Sequence, residues 1–385
     1  MSPRTLSITR GALVAAALAV LASPAAHADD AAALRALGRS IFFDPALSEP
    51  RGTSCASCHD PARAFSGVNG STNGLPSGSR PGHFARRASP SLLYLRYVPA
   101  FRLHQEGDDP QAQAFGGLFW DGRVDTVRAL ARQPLLNPDE MNNGDGAALA
   151  AKLARAPYAA ELTRLVGAPS SAEAALDGVG RALEAYLTSD EMAPFSSRFD
   201  DFVRGKGTFS PLERRGLALF EDPQKGACSS CHLVDVGSRD PRASLLTDYG
   251  YDAVGAPRNA RAPRRGAPDL GICERRAGAE GVSCASFRTP SLRNVALRAS
   301  FMHNGTFTRL RDVVAFYATR GTDPRRWYPS GVLFDDVPKR YRGLVNVTSP
   351  PYDRRPGYPP ALTDEEIDAV VAFLGTLTDA AAEGR

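Results

Sequence analysis

What the 385-residue sequence lacks narrows it first. It holds six cysteines, six histidines, four methionines and two tryptophans, so metal or redox chemistry has few side chains to draw on. Beyond residue 28 no apolar run is long enough to cross a bilayer. Runs that alternate apolar with polar residues, as a half-buried strand requires, are missing too. Charge of one sign is also missing. The formal net charge is +4, and removing Arg4 and Arg10 with a cleaved leader brings it to about +2. That balance gives no electrostatic ground for binding nucleic acid or a membrane surface.

The start of the chain has the three parts of a secretory signal. Arg4 and Arg10 are positive, Gly11 to Leu21 is a short apolar run, and Ala26-His27-Ala28 is a small-x-small cleavage pattern. The expected mature chain therefore starts at Asp29, is exported to the periplasm, and is long enough for two cores. Thirty prolines and 35 glycines predict ordered turns and long loops between short helices. Helix starts are legible at Ser170 with Glu173, at Ser210-Pro211 with Glu213, at Thr308, and at Thr363 with Glu366. The loops Gly67–Gly82 and Asp240–Arg265 read as additions to a small helical core. The second carries Arg258, Arg261, Arg264 and Arg265, which reads first as a solvated basic loop.

All six cysteines can be assigned. Cys55-Ala56-Ser57-Cys58-His59 and Cys228-Ser229-Ser230-Cys231-His232 each place two thiols on one turn, followed at once by an imidazole. This spacing lets both thiols add to the vinyl groups of one porphyrin while the histidine takes the iron. Zinc or thioredoxin-like pairs use similar spacing, but two copies with histidine behind an export signal point to two c-type hemes. Cys273 and Cys284 remain, and in an oxidising compartment they are expected to form a disulfide. The motifs lie 173 residues apart, which predicts two similar modules. The expected fold is mostly α, with cytochrome c-like helical domains at 29–204 and 205–385, each around one heme c. Ligands for the far side of each iron must come from His83, His104, His303, Met141, Met192 or Met302, or from other residue types.

In order and spacing the chain resembles the diheme cytochrome c peroxidase superfamily, and within it the MauG branch. Matching segments include Ser89-Pro90-Ser91-Leu92, Phe119-Trp120-Asp121-Gly122-Arg123, and Leu135 to Met141. Two more follow the second heme motif, Phe287 to Val295 and Phe301 to Gly305. The resemblance implies that Glu140 is the carboxylate facing peroxide at the first heme, shuttling a proton during O–O cleavage. Trp120 is implied as the relay between the hemes, although it also reads as interface packing. Tyr317, 14 residues after His303, stands where other members carry a methionine ligand to the second heme. An anionic oxygen ligand there favours oxidised iron, where a thioether raises the potential. The alternative reading makes Tyr317 a packed aromatic, with Met302 or His303 as ligand.

The resemblance further implies hydrogen peroxide as oxidant and a periplasmic protein, oxidised at tryptophan or a similar residue, as substrate. The alternative is an ordinary peroxidase fed by a small redox protein. A pure electron-transfer cytochrome would need a sixth ligand on both irons. Three departures stand out. Leu130 replaces a glutamine. His83 does not match the spacing of a histidine that caps the resting heme elsewhere. Ala88, Arg298 and Ser300 occupy the positions of a calcium site, which argues against calcium.

Overall fold

The computed structural model describes residues 24–104, 113–263, 266–275 and 284–380. The charged and apolar parts of the expected leader lie outside them, as do Arg264 and Arg265. Among the described residues the helices are α1 Pro24–Phe42, α2 Cys55–Cys58, α3 Val127–Leu136, α4 Gly146–Leu153, α5 Ala159–Val166 and α6 Ala172–Leu187. They continue with α7 Arg198–Val203, α8 Pro211–Glu221, α9 Leu310–Thr319, α10 Pro324–Trp327 and α11 Asp364–Gly375. No helix among them is long and apolar enough to cross a membrane.

Local chemistry explains most of the helix starts. At α8 the Ser210 hydroxyl accepts from the Glu213 amide, and the Glu213 carboxylate accepts from the Ser210 amide. Thr363 and Glu366 close the same reciprocal box at α11. Two expected caps are corrected. The cap of α6 is Ser171, not Ser170, because it is the Ser171 hydroxyl that reaches the Ala174 amide. Thr308 does not cap α9, which follows Arg309 with no side-chain cap.

Strands do occur, contrary to expectation. β1 (Arg102–His104) pairs antiparallel with β2 (Gln113–Phe115), and β3 (Tyr251–Asp252) with β4 (Phe287–Arg288). At two or three residues they are too short to show an alternating pattern.

Buried apolar side chains gather in two large clusters. One runs from Leu37 to Phe195 and the other from Phe199 to Leu377, so the change falls between Phe195 and Phe199. α7 thus packs with the second cluster, ahead of the expected boundary at residue 205.

The two halves repeat one packing scheme. α1 meets α6 at Gly38, where an added Cβ would lie 1.9 Å from the Ala182 carbonyl oxygen. α8 meets α11 at Gly216, where it would lie 2.0 Å from the Ala369 oxygen. Only glycine allows these helices to come so close. Ser91 and Ser291 each donate a 2.6 Å hydrogen bond to a carbonyl behind the cysteine motif, those of Ala64 and Leu245. Tyr94 and Asn294 then both turn through positive φ. Leu118 bridges Val124 and Phe301 bridges Phe307, and nine residues after each first partner a helix starts, α3 and α9 respectively.

Arg293 fastens the halves together. Its guanidinium pairs with Asp200 at 2.7 Å, with both side chains 0 % exposed, and it donates to the Pro241 and Ser244 carbonyls. It also lies against Tyr94 and Phe195 of one cluster and Phe199 of the other. Removing one member of such a pair strands a buried charge. Asp200→Ala is therefore expected to lower stability by about 3–5 kcal/mol in denaturant unfolding.

Candidate active site

Each cysteine motif forms a single tight turn that aims its histidine inward. In α2 the Ser54 and Ser57 side chains cap the turn, and the His59 amide donates to the Cys55 carbonyl at 2.8 Å. The second motif repeats this bond, from the His232 amide to the Cys228 carbonyl at 2.9 Å. The imidazoles are oriented alike. His59 Nδ1 lies 2.9 Å from the Phe65 carbonyl oxygen, and His232 Nδ1 lies 2.9 Å from that of Leu246. With Nδ1 so engaged, Nε2 is the nitrogen able to ligate a metal. Burial pushes His59 down to about 4 and lowers His232 as well, so both rings are neutral near pH 7, as ligation requires. Burial also pushes the thiols of Cys55, Cys58 and Cys228 up to about 12.

Two cavities open beside these turns. The first is lined by Cys55, Cys58, His59, Leu130, Pro134 and Glu140. The second is lined by Cys228, Cys231, His232, Arg288, Arg298 and Tyr317, with Met302 and His303 nearby in the same wall. Trp120 lines both, as do Ala88, Ser89 and Pro90. The indole is fixed in the partition by its N–H, which donates to the Ala88 carbonyl at 2.9 Å. The Ala88 amide in turn donates to the His303 carbonyl at 2.8 Å.

Glu140 sits on the turn after α3. Asn137 Nδ2 donates to its carboxylate at 3.0 Å, and the Ser79 amide holds its carbonyl at 2.7 Å. Burial raises its pKa, against the pull of Arg123 and the Asn137 bond, and Asp139 adds to the rise. His83 does not line this cavity. Its Nδ1 pairs with Asp139 at 2.7 Å and thereby holds the loop against the Glu140 turn.

The repeat gives Tyr317 a counterpart. Tyr317 is the eighth residue of α9, and the eighth residue of α3 is Pro134. Both line their own cavity, but proline has no side-chain atom to offer a metal. One cavity therefore has an oxygen donor where the other has none. Sequence reading did not match Pro134 with Tyr317, because the alignment of the halves only becomes visible through the paired bridges and helix starts. Tyr317 shares its surroundings with Tyr352, whose ring centroid is 5.7 Å away. Of the rival ligands, His303 is stacked on Phe287 at 3.6 Å and its Nε2 is 3.1 Å from Asp336.

The wall behind Trp120 is tied by charge. Arg87 pairs with Asp121, the residue after Trp120, and with Asp269, both at 2.6 Å. Burial tends to raise the Asp269 carboxyl, but Arg87 holds it well below the usual carboxylate range. The loop after Asp269 is closed by the Cys273–Cys284 disulfide, with Cα atoms 5.2 Å apart.

The profile of di-haem cytochrome c peroxidases matches residues 32–208. MauG of Paracoccus denitrificans is 37% identical over 371 residues, covering 93% of this chain and 91% of that protein. The chain belongs to the diheme cytochrome c peroxidase family. It is accordingly a heme peroxidase-type oxidoreductase that holds two hemes and takes hydrogen peroxide as oxidant. The cytochrome-c peroxidase IdrP2 of Pseudomonas sp. (strain SCT) is 30% identical over 299 residues, 74% of this chain and 73% of that one. The solved diheme peroxidase BthA of Burkholderia thailandensis is 52% identical with a TM-score of 0.84, over 91% of this chain and 87% of that one.

The cavities suit this cofactor. Each has paired thiols, a neutral imidazole and apolar walls, and the second also has buried guanidinium groups facing inward. At the place where the resemblance puts calcium, Arg298 supplies a cation and the Ala88 carbonyl accepts from the Trp120 N–H.

Proposed function

We propose that this chain is an exported diheme enzyme that reduces hydrogen peroxide at the His59 cavity and draws the electrons from a partner protein. Its two c-type hemes, attached at Cys55/Cys58 and Cys228/Cys231, supply the redox chemistry when bound. His59 and His232 would hold the irons, Tyr317 would offer the second a further oxygen ligand, and each helical half would enclose one heme. The observation that carries this reading is the asymmetry of the repeat, with Pro134 in one cavity and Tyr317 in the other.

Each chain residue then has a distinct task. Glu140 accepts a proton from peroxide and returns it to the departing oxygen, so that one peroxide, two electrons and two protons yield two waters. Trp120 joins the two cavities across their shared wall and shortens the electron's path. Tyr317 offers an oxygen ligand that favours the oxidised metal, so oxidising power is held until a slow partner arrives. The partner's aromatic side chains, tryptophan foremost, supply the two electrons. The leader ending at Ala28 places this chemistry in the periplasm, where thioether attachment and the Cys273–Cys284 disulfide both belong.

The test is to add hydrogen peroxide to the purified diferric protein without reductant, while recording optical and electron-paramagnetic spectra. Both ferric signals are expected to disappear together and return slowly. A need to pre-reduce one heme would instead favour an ordinary peroxidase fed by a small redox protein, the activity named for the IdrP2 relative. Trp120→Phe is expected to leave the first signal's loss fast and to slow the second at least tenfold. Equal rates for both signals in that variant would remove Trp120 from the path.

A further inference from the structure

The second cavity contains two buried positive charges without a negative partner. Arg288 is 8 % exposed, and Arg298 is partly buried on the cavity lining with its Nε shut off from solvent. Among the described residues neither has a carboxylate within ion-pair distance, although nearly every other arginine near the partition has one. Arg288 Nε donates to the Phe119 carbonyl at 3.2 Å, and Arg298 donates from one terminal nitrogen to the Ser291 carbonyl at 2.6 Å. The Nε of Arg298 is buried with no hydrogen-bond partner at all. The carboxylate that does line this cavity, Asp252, is held instead by Asn346 at 3.1 Å.

An uncompensated buried guanidinium is costly, and two close enough to repel are more so. Burial and the charge of Arg288 together push Arg298 down to about 10. Such a pair is stable only if an anion completes it. Guanidinium forks match carboxylates in shape as well as charge. The anion must also be enclosed beside Cys228, Cys231 and His232, whose own charge environment includes Arg298.

We propose that Arg288 and Arg298 bind the two propionate carboxylates of the porphyrin held at Cys228 and Cys231. This rests on the reading of that cavity as a heme site and adds the groups that orient the ring and fix its charge. Arg288 lies on β4, and its amide donates to the Trp120 carbonyl at 2.8 Å. Arg288 would thereby hold a propionate of the second heme on the side of the partition and Trp120. Propionates paired in this way stay ionised, so the second heme exchanges electrons without exchanging protons.

The experiment is a potentiometric titration of the holoenzyme across about pH 5 to pH 8, the range in which a poorly paired propionate can titrate. The wild-type potential of the second heme is expected to be flat with pH. Arg298→Gln and Arg288→Gln are each expected to lower it and introduce a proton-linked slope, while Arg298→Lys, which keeps the charge, stays nearly flat. A sloping wild type, or glutamine variants that match a flat wild type, would overturn the assignment. If the glutamine variants do not accumulate, the wild-type and lysine titrations still decide. Covalent heme counted after denaturation separates the two layers: fewer than two per wild-type chain defeats the cavity reading itself, whereas two with a sloping potential defeats only the arginines.

Discussion

Glu140→Gln is expected to slow the reaction with hydrogen peroxide by about 10²- to 10⁴-fold, measured by stopped-flow absorbance, with both hemes still attached. The substitution keeps the shape of the side chain and its bond from Asn137 Nδ2 to a remaining oxygen. What is lost is the basic atom. Leu130 lies in the same wall and can neither take nor give a proton, so no neighbour on α3 can substitute.

The pH profile carries a second reading of the same residue. Burial raises the Glu140 pKa, and Arg123 and Asn137 only partly offset this. The ionised form is the one that accepts the proton, so activity should be present above the raised pKa and fall as pH drops through it. The midpoint is expected above that of an ordinary glutamate. Arg123→Gln removes the largest opposing influence and should move the midpoint higher still, which a purely structural role for Glu140 would not produce. A profile unchanged in Glu140→Gln would transfer the proton chemistry to another group.

Much of this site was legible in the sequence because its chemistry is local. The CxxCH turns and the capping boxes of α8 and α11 depend on residues three or four positions apart, and the two leftover cysteines lie only 11 apart. The short strands were invisible because two or three residues cannot display a period. The starts of α6 and α9 differ from expectation by one residue: at α6 two neighbouring hydroxyls compete for one amide and Ser171 wins, whereas α9 follows Arg309 with no side-chain cap. What the sequence concealed was relation at a distance. That Pro134 answers Tyr317, and that among the described residues Arg288 and Arg298 have no carboxylate within ion-pair distance, depend on how the two halves face each other; the place of Trp120 between them was legible only through the family resemblance. These relations are tertiary, and local spacing carries no record of them.

Tyr317→Phe is expected to have the other large effect, on the second heme. The phenol is enclosed on the cavity wall, and burial raises its pKa well beyond the ordinary tyrosine value, with Asp252 adding to the rise. Tyr352 works in the opposite direction through a hydrogen bond to Tyr317. Taken without the metal, Tyr317 would therefore stay neutral. A ferric iron held at His232 would reverse this, because its charge would be the largest in the site and would favour the deprotonated phenol. Removing the oxygen should then remove the main stabiliser of the oxidised second heme. Axial ligands together span about 0.8 V in heme potential, so loss of an anionic one is expected to raise the potential by on the order of 0.1 V or more. The slow return of both ferric signals after peroxide should shorten accordingly, while the first heme's reaction with peroxide, which depends on Glu140, stays fast. If the second heme's spectrum and potential are unchanged in Tyr317→Phe, Tyr317 is a packing residue. Met302, which lines the same cavity, then becomes the ligand to test.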